Sequence, residues 1–296
     1  MIHDVGVIRD PTGRINMARS KQEFTCGTAM PHLIIVANEK GGQGKSLAAL
    51  AVADHAYLHD APLGVAQVDA QHRLAHALGR NVLTVAPVAK EARRDPAAEA
   101  RSFTPLHALI EKAAGRGASV LIDTGANQAS RFAHWAGLSD LAEDLTLWKV
   151  ETTLIVPYVA EAEAMRQAAQ TANLLRERIP QARLVLVENE RDGAFAQLHP
   201  ASDAAGVHRT MIKPLKAQAT VLRMPAIEAG SWRPFEAARC RLVQVAQMPV
   251  EKAMTVTGLP RPEAKIARGD VAGWTSTVFD ELDRVLPWSK RGGSHG

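Results

Sequence analysis

The chain has 296 residues, of which 46% are hydrophobic, 22% charged and 4% aromatic, and this composition indicates a soluble globular protein with one large domain or a domain with appendages. No apolar run reaches the roughly 18 to 20 residues of a membrane-spanning helix, and the isolated Cys26 and Cys240 form neither a disulfide framework nor a metal knuckle, which indicates a reducing cytoplasm. The formal charge of +4 permits contact with nucleic acid without requiring it, and the excess lies beyond residue 212, where 13 Lys+Arg face 8 Asp+Glu.

The N-terminal stretch, residues 1–31, shows neither helical nor strand periodicity. We expect residues 1–30 to form a disordered N-terminal extension. One alternative is that the start of the chain is assigned upstream of the native one, since Met30 stands just ahead of the first apolar run. A basic arm is the other alternative, but the charges of this stretch are mixed.

The first predicted element is a buried strand that leads through a glycine turn into a helix. Residues 33–37 are apolar and β-branched, and Lys45-Ser46 then opens an Ala/Leu-rich helical run. In such a loop the backbone N–H groups wrap around a phosphate, the lysine reaches the β- and γ-phosphates, and the serine hydroxyl binds Mg²⁺. The predicted nucleotide-binding residues of the loop are Gly41, Gly42, Gln43, Gly44, Lys45, Ser46 and Leu47.

The loop departs from the ordinary pattern G-x-x-x-x-G-K-[ST], because Glu39 stands where the first glycine belongs. From Lys40 to Ser46 the chain instead reads K-G-G-x-G-K-[ST]. This motif resembles the deviant Walker A motif of the ParA/MinD family of P-loop ATPases. A glycine turn with an incidental Lys-Ser pair is the alternative interpretation.

A second buried strand, residues 65–68, leads into Asp69. In ParA-like proteins this strand ends in a D-x-D motif, whose first carboxylate lies near Mg²⁺ and whose second positions the attacking water. Asp69 matches the first acid, but Gln71 occupies the second position. A glutamine orients a water by hydrogen bonding and cannot take its proton, so we expect hydrolysis to be slow or to be triggered by a partner.

A third strand is predicted at residues 119–122, and it ends in Asp123. An apolar strand that ends in an acid is the Walker B pattern, in which the carboxylate holds the Mg²⁺ shell at the carboxyl end of the strand. Gly125 fits the switch segment that follows this acid in the family. The predicted metal ligands are therefore Ser46, Asp69 and Asp123.

Three further buried strands are predicted at residues 153–157, 183–187 and 221–225. Asn189 resembles the residue that reads the adenine edge in relatives, although a polar residue that caps a strand is the alternative. Pro225 opens the loop expected on the adenine side. The segment from 191 to 219 is irregular, and we interpret it as a lid or a partner-facing insertion.

Strands that alternate with helices predict an α/β fold, with a mainly parallel twisted sheet flanked by helices on both faces and the nucleotide at the carboxyl ends of the strands. The resemblance places the nucleotide-binding domain at 31–250. We expect residues 251–296 to form a helical extension that packs on this domain and ends in a flexible tail. His55 and His59 lie four apart on the first helix, and we interpret them as surface residues because no third metal ligand is near in sequence.

The resemblance implies a cytoplasmic, Mg²⁺-dependent ATPase that binds ATP and ADP and forms a homodimer with ATP between the subunits. Lys40 of one subunit would then reach the phosphates of the other, and Lys45 would act within the subunit. The expected partners are a ParB-like or conjugation-apparatus protein and non-specifically bound DNA, in plasmid partition, stability or conjugative transfer. A non-hydrolysing nucleotide-binding scaffold and a metabolic ATP-dependent enzyme of the same superfamily are the alternatives.

Overall fold

The computed structural model describes residues 30–69, 72–79, 82–87, 96–227 and 230–289. Its centre is a seven-stranded sheet in the order β3-β2-β4-β1-β5-β6-β7, and all the paired strands run parallel. The strands are β1 His32–Val36, β2 Leu63–Val68, β3 Val82–Thr84, β4 Ser119–Thr124, β5 Glu151–Val159, β6 Arg183–Asn189 and β7 Thr220–Met224.

The helices either connect consecutive strands or follow the last strand, and they cover the sheet. They are α1 Lys45–Leu58, α2 Arg73–Leu78, α3 Pro96–Ser102, α4 Thr104–Ala114, α5 Ala129–Leu138, α6 Leu141–Leu147, α7 Ala162–Arg178, α8 Asp203–Val207, α9 Lys213–Lys216, α10 Arg233–Ala237, α11 Leu242–Ala246, α12 Val250–Thr257 and α13 Arg261–Asp283. A π-helical turn, His208–Ile212, joins α8 to α9. No helix in the described part of the chain is long and apolar enough to cross a membrane.

The central strand β1 shows why the sheet is buried on both faces. Side chains alternate along a strand, so Leu33 and Ile35 enter one core while Ile34 and Val36 enter the other. The first core is closed by α4, α5 and α7, and the second by α1, α11, α12 and α13. The predicted α/β fold, with a parallel sheet between two helical layers, is confirmed.

The structure corrects several of the predicted elements. The segment 191–219, expected to be irregular, contains α8, the π-helical turn and α9. The helical extension expected from residue 251 is preceded by two short helices, α10 and α11, and it consists of α12 and the long helix α13. The division of the chain at residue 250 stays a prediction, and the expectations for residues 1–29 and for the tail beyond residue 289 lie outside the described residues.

The C-terminal helices are fixed to α1 by buried polar contacts. Asp54 is fully buried, and its carboxylate accepts hydrogen bonds from Nε of Arg241 at 2.5 Å and from the backbone N–H of Val243 at 3.1 Å. Farther along α1, the indole N–H of Trp288 donates to Nδ1 of His55 at 2.8 Å. These contacts hold α1, the helix that follows the glycine turn, against the C-terminal part of the chain.

The surface interpretation of His55 is wrong, because α13 and Trp288 bury it completely. Asp283 also approaches, so that a potential third metal ligand is present beside His55 and His59. A neutral imidazole carries one proton, and since Nδ1 of His55 accepts from Trp288, the proton lies on Nε2 and is donated to Asp283 at 3.0 Å. The hydrogen bonds use both ring nitrogens of His55, so this cluster stabilises the packing of α13 and is a poor metal site.

Candidate functional site

The loop between β1 and α1 lies at the carboxyl edge of the sheet, where β1 is flanked by β4 and β5. The crossover that follows β1 leads to β2, whereas the crossover that follows its neighbour β4 leads in the opposite direction to β5, and open α/β sheets bind ligands at such a point. Gly42 and Gly44 have φ angles of 75° and 87°, in the left-handed region that favours glycine. The sequence therefore builds the loop with glycines where the backbone turns most sharply.

Gly44 also permits a close approach from neighbouring strands. A Cβ atom at this position would lie 2.6 Å from Nδ2 of Asn189 and 2.7 Å from Cε of Met224. Both partners come from strand ends, β6 and β7, so the loop packs directly against the far half of the sheet. Any side chain at position 44 would separate these elements.

Two buried amide side chains hold the loop in shape. Asn38 donates from Nδ2 to the carbonyl of Pro157 at 2.8 Å, and its Oδ1 accepts the backbone N–H of Lys40 at 2.9 Å. Gln43 accepts the backbone N–H of Val159 at 3.2 Å through Oε1. Because both amides tie the loop to β5, they hold its backbone in this conformation.

Lys45 turns into the loop from the first position of α1. Its side chain is 6% exposed, and Nζ donates to the carbonyl of Lys40 at 2.7 Å. Ser46 follows on the same helix turn, next to the N-terminal N–H groups of α1. The loop thus presents an ammonium group, a hydroxyl and a helix N-terminus together, which is an anion-binding arrangement.

The loop forms one wall of a cavity of about 500 Å³. Its size falls within the range of small-molecule and cofactor sites. Of the predicted site residues, the wall includes Gly41, Gly42, Gln43, Gly44, Lys45, Ser46, Leu47, Asp69, Asn189 and Pro225. The structure therefore brings all of the predicted nucleotide-binding residues, together with Asp69, to one cavity.

Two acids stand at the ends of neighbouring strands. Asp69 follows β2 and lines the cavity, whereas Asp123 is buried within β4, paired with Val36 of β1, and does not form part of the cavity wall. A Cβ atom on Gly125 would lie 2.5 Å from Oδ1 of Asp69, so the loop after β4 packs tightly on this carboxylate. The hydroxyl of Ser46 and these two carboxylates are oxygen ligands of the kind that Mg²⁺ takes, and the donor set fits that ion.

Asn189 ends β6 and touches the phosphate loop. Its Nδ2 donates to the carbonyl of Gln43 at 3.1 Å, and its Oδ1 accepts the backbone N–H of Arg191 at 3.1 Å. Arg191 in turn donates from Nη1 to the carbonyl of Gly42 at 2.5 Å, and its guanidinium lowers the pKa of the neighbouring Asp192. The loop is thereby tied to β6 on its second side, and the base-reading role of Asn189 stays a prediction.

Lys40 does not join Lys45 in the cavity wall. Its ammonium group forms an ion pair with Glu161, which lies between β5 and α7. The two lysines of the motif therefore point to different places, one into the loop and one away from the cavity. The remaining catalytic residue predicted from the sequence, Gln71, lies outside the described residues.

Several residues of the site have no signal in the sequence. Met224, Trp232 and Trp274 line the cavity from the C-terminal half of the chain, and Trp274 also donates from its indole N–H to the carbonyl of Pro225 at 2.7 Å. Arg191 and Glu161 are ordinary surface charges by sequence. Their proximity to the loop depends on the sheet order, which local patterns do not encode.

A parallel sheet with a glycine loop between β1 and α1 at its carboxyl edge has the fold of the P-loop nucleotide-binding proteins. Within that class, the K-G-G-x-G-K-S loop resembles that of the ParA/MinD ATPases, and the chain has the α/β architecture that this resemblance implies. No protein-family model and no curated protein sequence matches the chain.

Solved structures do match it, at low identity. An ATP complex of McdA from Cyanothece is 17% identical, with a TM-score of 0.42, and the match covers 81% of this chain and 97% of that one. MinD from Pyrococcus horikoshii, complexed with Mg-ADP, is 15% identical with a TM-score of 0.48, over 88% and 100%. A plasmid partition protein from Borrelia burgdorferi is 14% identical with a TM-score of 0.41, over 71% and 94%.

Proposed function

We propose that this protein is a Mg²⁺-dependent ATPase of the ParA/MinD type, which dimerises when it binds ATP and separates after hydrolysis to ADP. The observation that carries the proposal is the divergence of the two lysines in one loop. Lys45 lies in the wall of its own cavity, whereas Lys40 lies outside that wall, where its only described ion pair is with Glu161. A lysine placed in this way is available to a nucleotide held by a second subunit.

The chemistry explains why a second lysine is useful. During phosphoryl transfer the charge spreads over the oxygens of the γ-phosphoryl group, and cations placed there stabilise the transition state. Lys45 and the N-terminus of α1 supply positive charge from within the subunit. Bound Mg²⁺, held by Ser46, Asp69 and Asp123, would neutralise charge on the phosphate oxygens. Lys40 of the partner subunit would complete the site.

The cellular process is proposed from the motif. We assign the switch to plasmid partition, plasmid stability or conjugative transfer in the cytoplasm, with a ParB-like or conjugation-apparatus protein as the partner and DNA as a second ligand. Each dimer would bind its partner or DNA while ATP is present. Hydrolysis would then release it.

A second candidate function follows from Gln71, which replaces the expected water-positioning acid. If the glutamine does not support hydrolysis, the protein is a nucleotide-binding scaffold. Steady ATP turnover that DNA or a partner protein stimulates excludes this alternative. Binding of ATP without turnover under all of these conditions favours it.

Light scattering tests the proposed switch. The mass of the wild-type protein is measured without nucleotide, with ADP, and with ATP and Mg²⁺, beside Lys40→Ala, Lys45→Ala and the exposed control Lys252→Ala. We expect an ATP-dependent dimer for the wild type and for the Lys252 variant. Lys45→Ala should lose nucleotide binding, and Lys40→Ala should bind ATP yet show a weaker dimer or slower turnover. A wild-type protein that binds ATP and stays monomeric contradicts the proposal.

A further inference from the structure

A cationic pocket lies on the segment between β6 and β7, and it shares no lining residue with the nucleotide cavity. Its volume is about 510 Å³. His208 lines the pocket together with three apolar residues, Phe195, Leu198 and Ala205, which we call its floor. The remaining lining residues are the cations Arg209, Lys213 and Lys216, which we call its rim. We propose that this pocket binds an acidic peptide segment of a partner protein, which inserts one apolar side chain between acidic ones.

The three cations lie on one face of a continuous helical segment. Arg209 and Lys213 are four residues apart and Lys213 and Lys216 are three apart, which are the spacings of neighbours on a helix surface. Arg209 belongs to the π-helical turn His208–Ile212, and Lys213 follows that turn directly. Single π-helical turns are frequent at functional sites, because the extra residue shifts which side chains face a common surface.

The charge of this rim is only partly compensated. Lys216 forms an ion pair with Glu188, whose Oε1 also accepts a hydrogen bond from the hydroxyl of Tyr158 at 3.3 Å. Arg209 and Lys213 are exposed, and neither forms an ion pair within the described part of the chain. The positive charges of Arg209 and Lys213 therefore both face solvent. Carboxylates of a bound ligand would offset the repulsion between them.

The floor selects an apolar group between those carboxylates. Phe195 and Leu198 are half-buried, so part of each remains open to a ligand. The ring of Phe195 meets the ring of Tyr158 edge-on at 5.1 Å and the ring of His208 at 6.2 Å. Because these contacts fix the ring, the pocket is formed in advance, and covering its floor removes apolar surface from water.

The compact shape of the patch favours a peptide over nucleic acid. Nucleic acid is bound by cations that follow a row of phosphates, with a site several nucleotides long. Here the cations cluster around one pocket, and the exposed acids Asp192 and Asp203 flank the floor residues in sequence. A segment with one apolar residue between two or three acids matches both the size and the charge of the pocket.

Selection from a random dodecapeptide display library tests the proposal, and it does not depend on the nucleotide switch because no ATP is added. The library is selected on the wild-type chain and counter-selected on a double variant, Arg209→Glu with Lys213→Glu. The matched control, Lys252→Glu with Lys265→Glu, makes the same charge change at exposed positions. The most enriched peptide is then measured by fluorescence anisotropy against all three proteins, with a random-sequence DNA duplex as the competing probe.

We expect enrichment of peptides in which an aromatic or aliphatic residue lies between Asp and Glu. Reversing the charges of Arg209 and Lys213 should lower the affinity for the enriched peptide about tenfold or more, because its carboxylates then meet like charges. The control variant, Lys252→Glu with Lys265→Glu, should change the affinity for the same peptide less than about twofold. Three results contradict the proposal: no enrichment, an equal loss in both variants, or DNA that binds through Arg209 and Lys213 and displaces the peptide.

Discussion

At the scale of single residues, the site depends on two close approaches that only glycine allows. Gly44 lets the phosphate loop meet Asn189 and Met224, and Gly125 lets the loop after β4 rest on Asp69. The second contact is the more informative, because the backbone of Gly125 lies outside the left-handed region and an added methyl group acts there only through its clash.

We predict that Gly125→Ala weakens Mg²⁺ binding in the nucleotide complex. The new Cβ would lie 2.5 Å from Oδ1 of Asp69 and would displace this carboxylate. Disturbing a group that orients a metal ligand costs about tenfold in metal affinity, which a Mg²⁺ titration of ATP binding measures. Gly206→Ala is the control, since nothing lies within 4 Å of its Cβ position. An unchanged Mg²⁺ dependence would show that Asp69 does not serve the metal.

The ion pair of Lys40 with Glu161 gives a second prediction at this scale. Glu161→Gln removes the charge that holds Lys40 within its own subunit, and the ATP-dependent dimer should become tighter. Both side chains are partly exposed, so the gain is at most about 1 kcal/mol, or roughly fivefold in the dimer dissociation constant. Analytical ultracentrifugation with ATP and Mg²⁺ measures it, with the exposed Glu143→Gln as the control. A weaker dimer would mean that Glu161 itself contributes to the interface.

At the scale of elements, one buried ion pair fastens the C-terminal helices to α1. The carboxylate of Asp54 is fully buried, and besides Arg241 it accepts an N–H at the start of α11. The same helix α1 carries Lys45 and Ser46 at its other end. Stability of the C-terminal layer and the position of the phosphate loop are therefore coupled through this helix.

We predict that Arg241→Ala lowers the free energy of unfolding by about 3 to 5 kcal/mol, because it leaves the Asp54 carboxylate buried without its cation. Arg261→Ala removes an ion pair with Glu251 whose side chains are 54% and 71% exposed, and it should cost less than about 1 kcal/mol. Urea denaturation of the two variants beside the wild type makes the comparison. Equal losses would contradict the structural role given to Asp54.

Only some of these elements and their contacts could be predicted from the sequence, and the reason is physical. The phosphate loop and the acids Asp69 and Asp123 are local patterns, a strand followed by a few residues, so they could be placed from the sequence. The burial of His55 depends on α13 and Trp288, more than 200 residues away, and no local pattern reports that contact. Glu161 and Arg191 were missed for the same reason, since they reach the loop only through the order of the strands.

At the scale of the whole molecule, a buried histidine at the amino-terminal edge of the sheet couples stability to pH. His32 begins β1, is 3% exposed, and its Nε2 lies 2.7 Å from the hydroxyl of Thr153. Burial, with the nearby Arg183, lowers the pKa of His32 from 6.5 to about 4. The unfolded chain therefore binds a proton here at a higher pH than the folded chain does.

We predict that the protein loses stability as the pH falls from the unfolded pKa of 6.5 towards the folded pKa of about 4. Above this pH window His32 is neutral in both the folded and the unfolded chain, and its contribution to the free energy of unfolding is fully present. Within the window the histidine is protonated in the unfolded chain only, which favours unfolding. The loss from this residue is about 2 kcal/mol between roughly pH 7.5 and 5. His32→Gln should flatten the profile of urea midpoints against pH, and the exposed His134→Gln should leave it unchanged. A parallel profile for all three proteins would contradict the assignment.

The residues that line the candidate nucleotide cavity come from distant parts of the chain, from Gly41 to Trp274. Its central strand β1 pairs with β4 and β5, whose residues follow it by roughly ninety to one hundred and twenty positions. Such non-local pairing forms slowly, since each contact closes a long loop. A nascent or truncated chain that lacks α13 has the whole glycine motif and still lacks part of the cavity. On the proposed function, nucleotide binding would therefore be a late event in folding, and ATP would stabilise only chains that include α13.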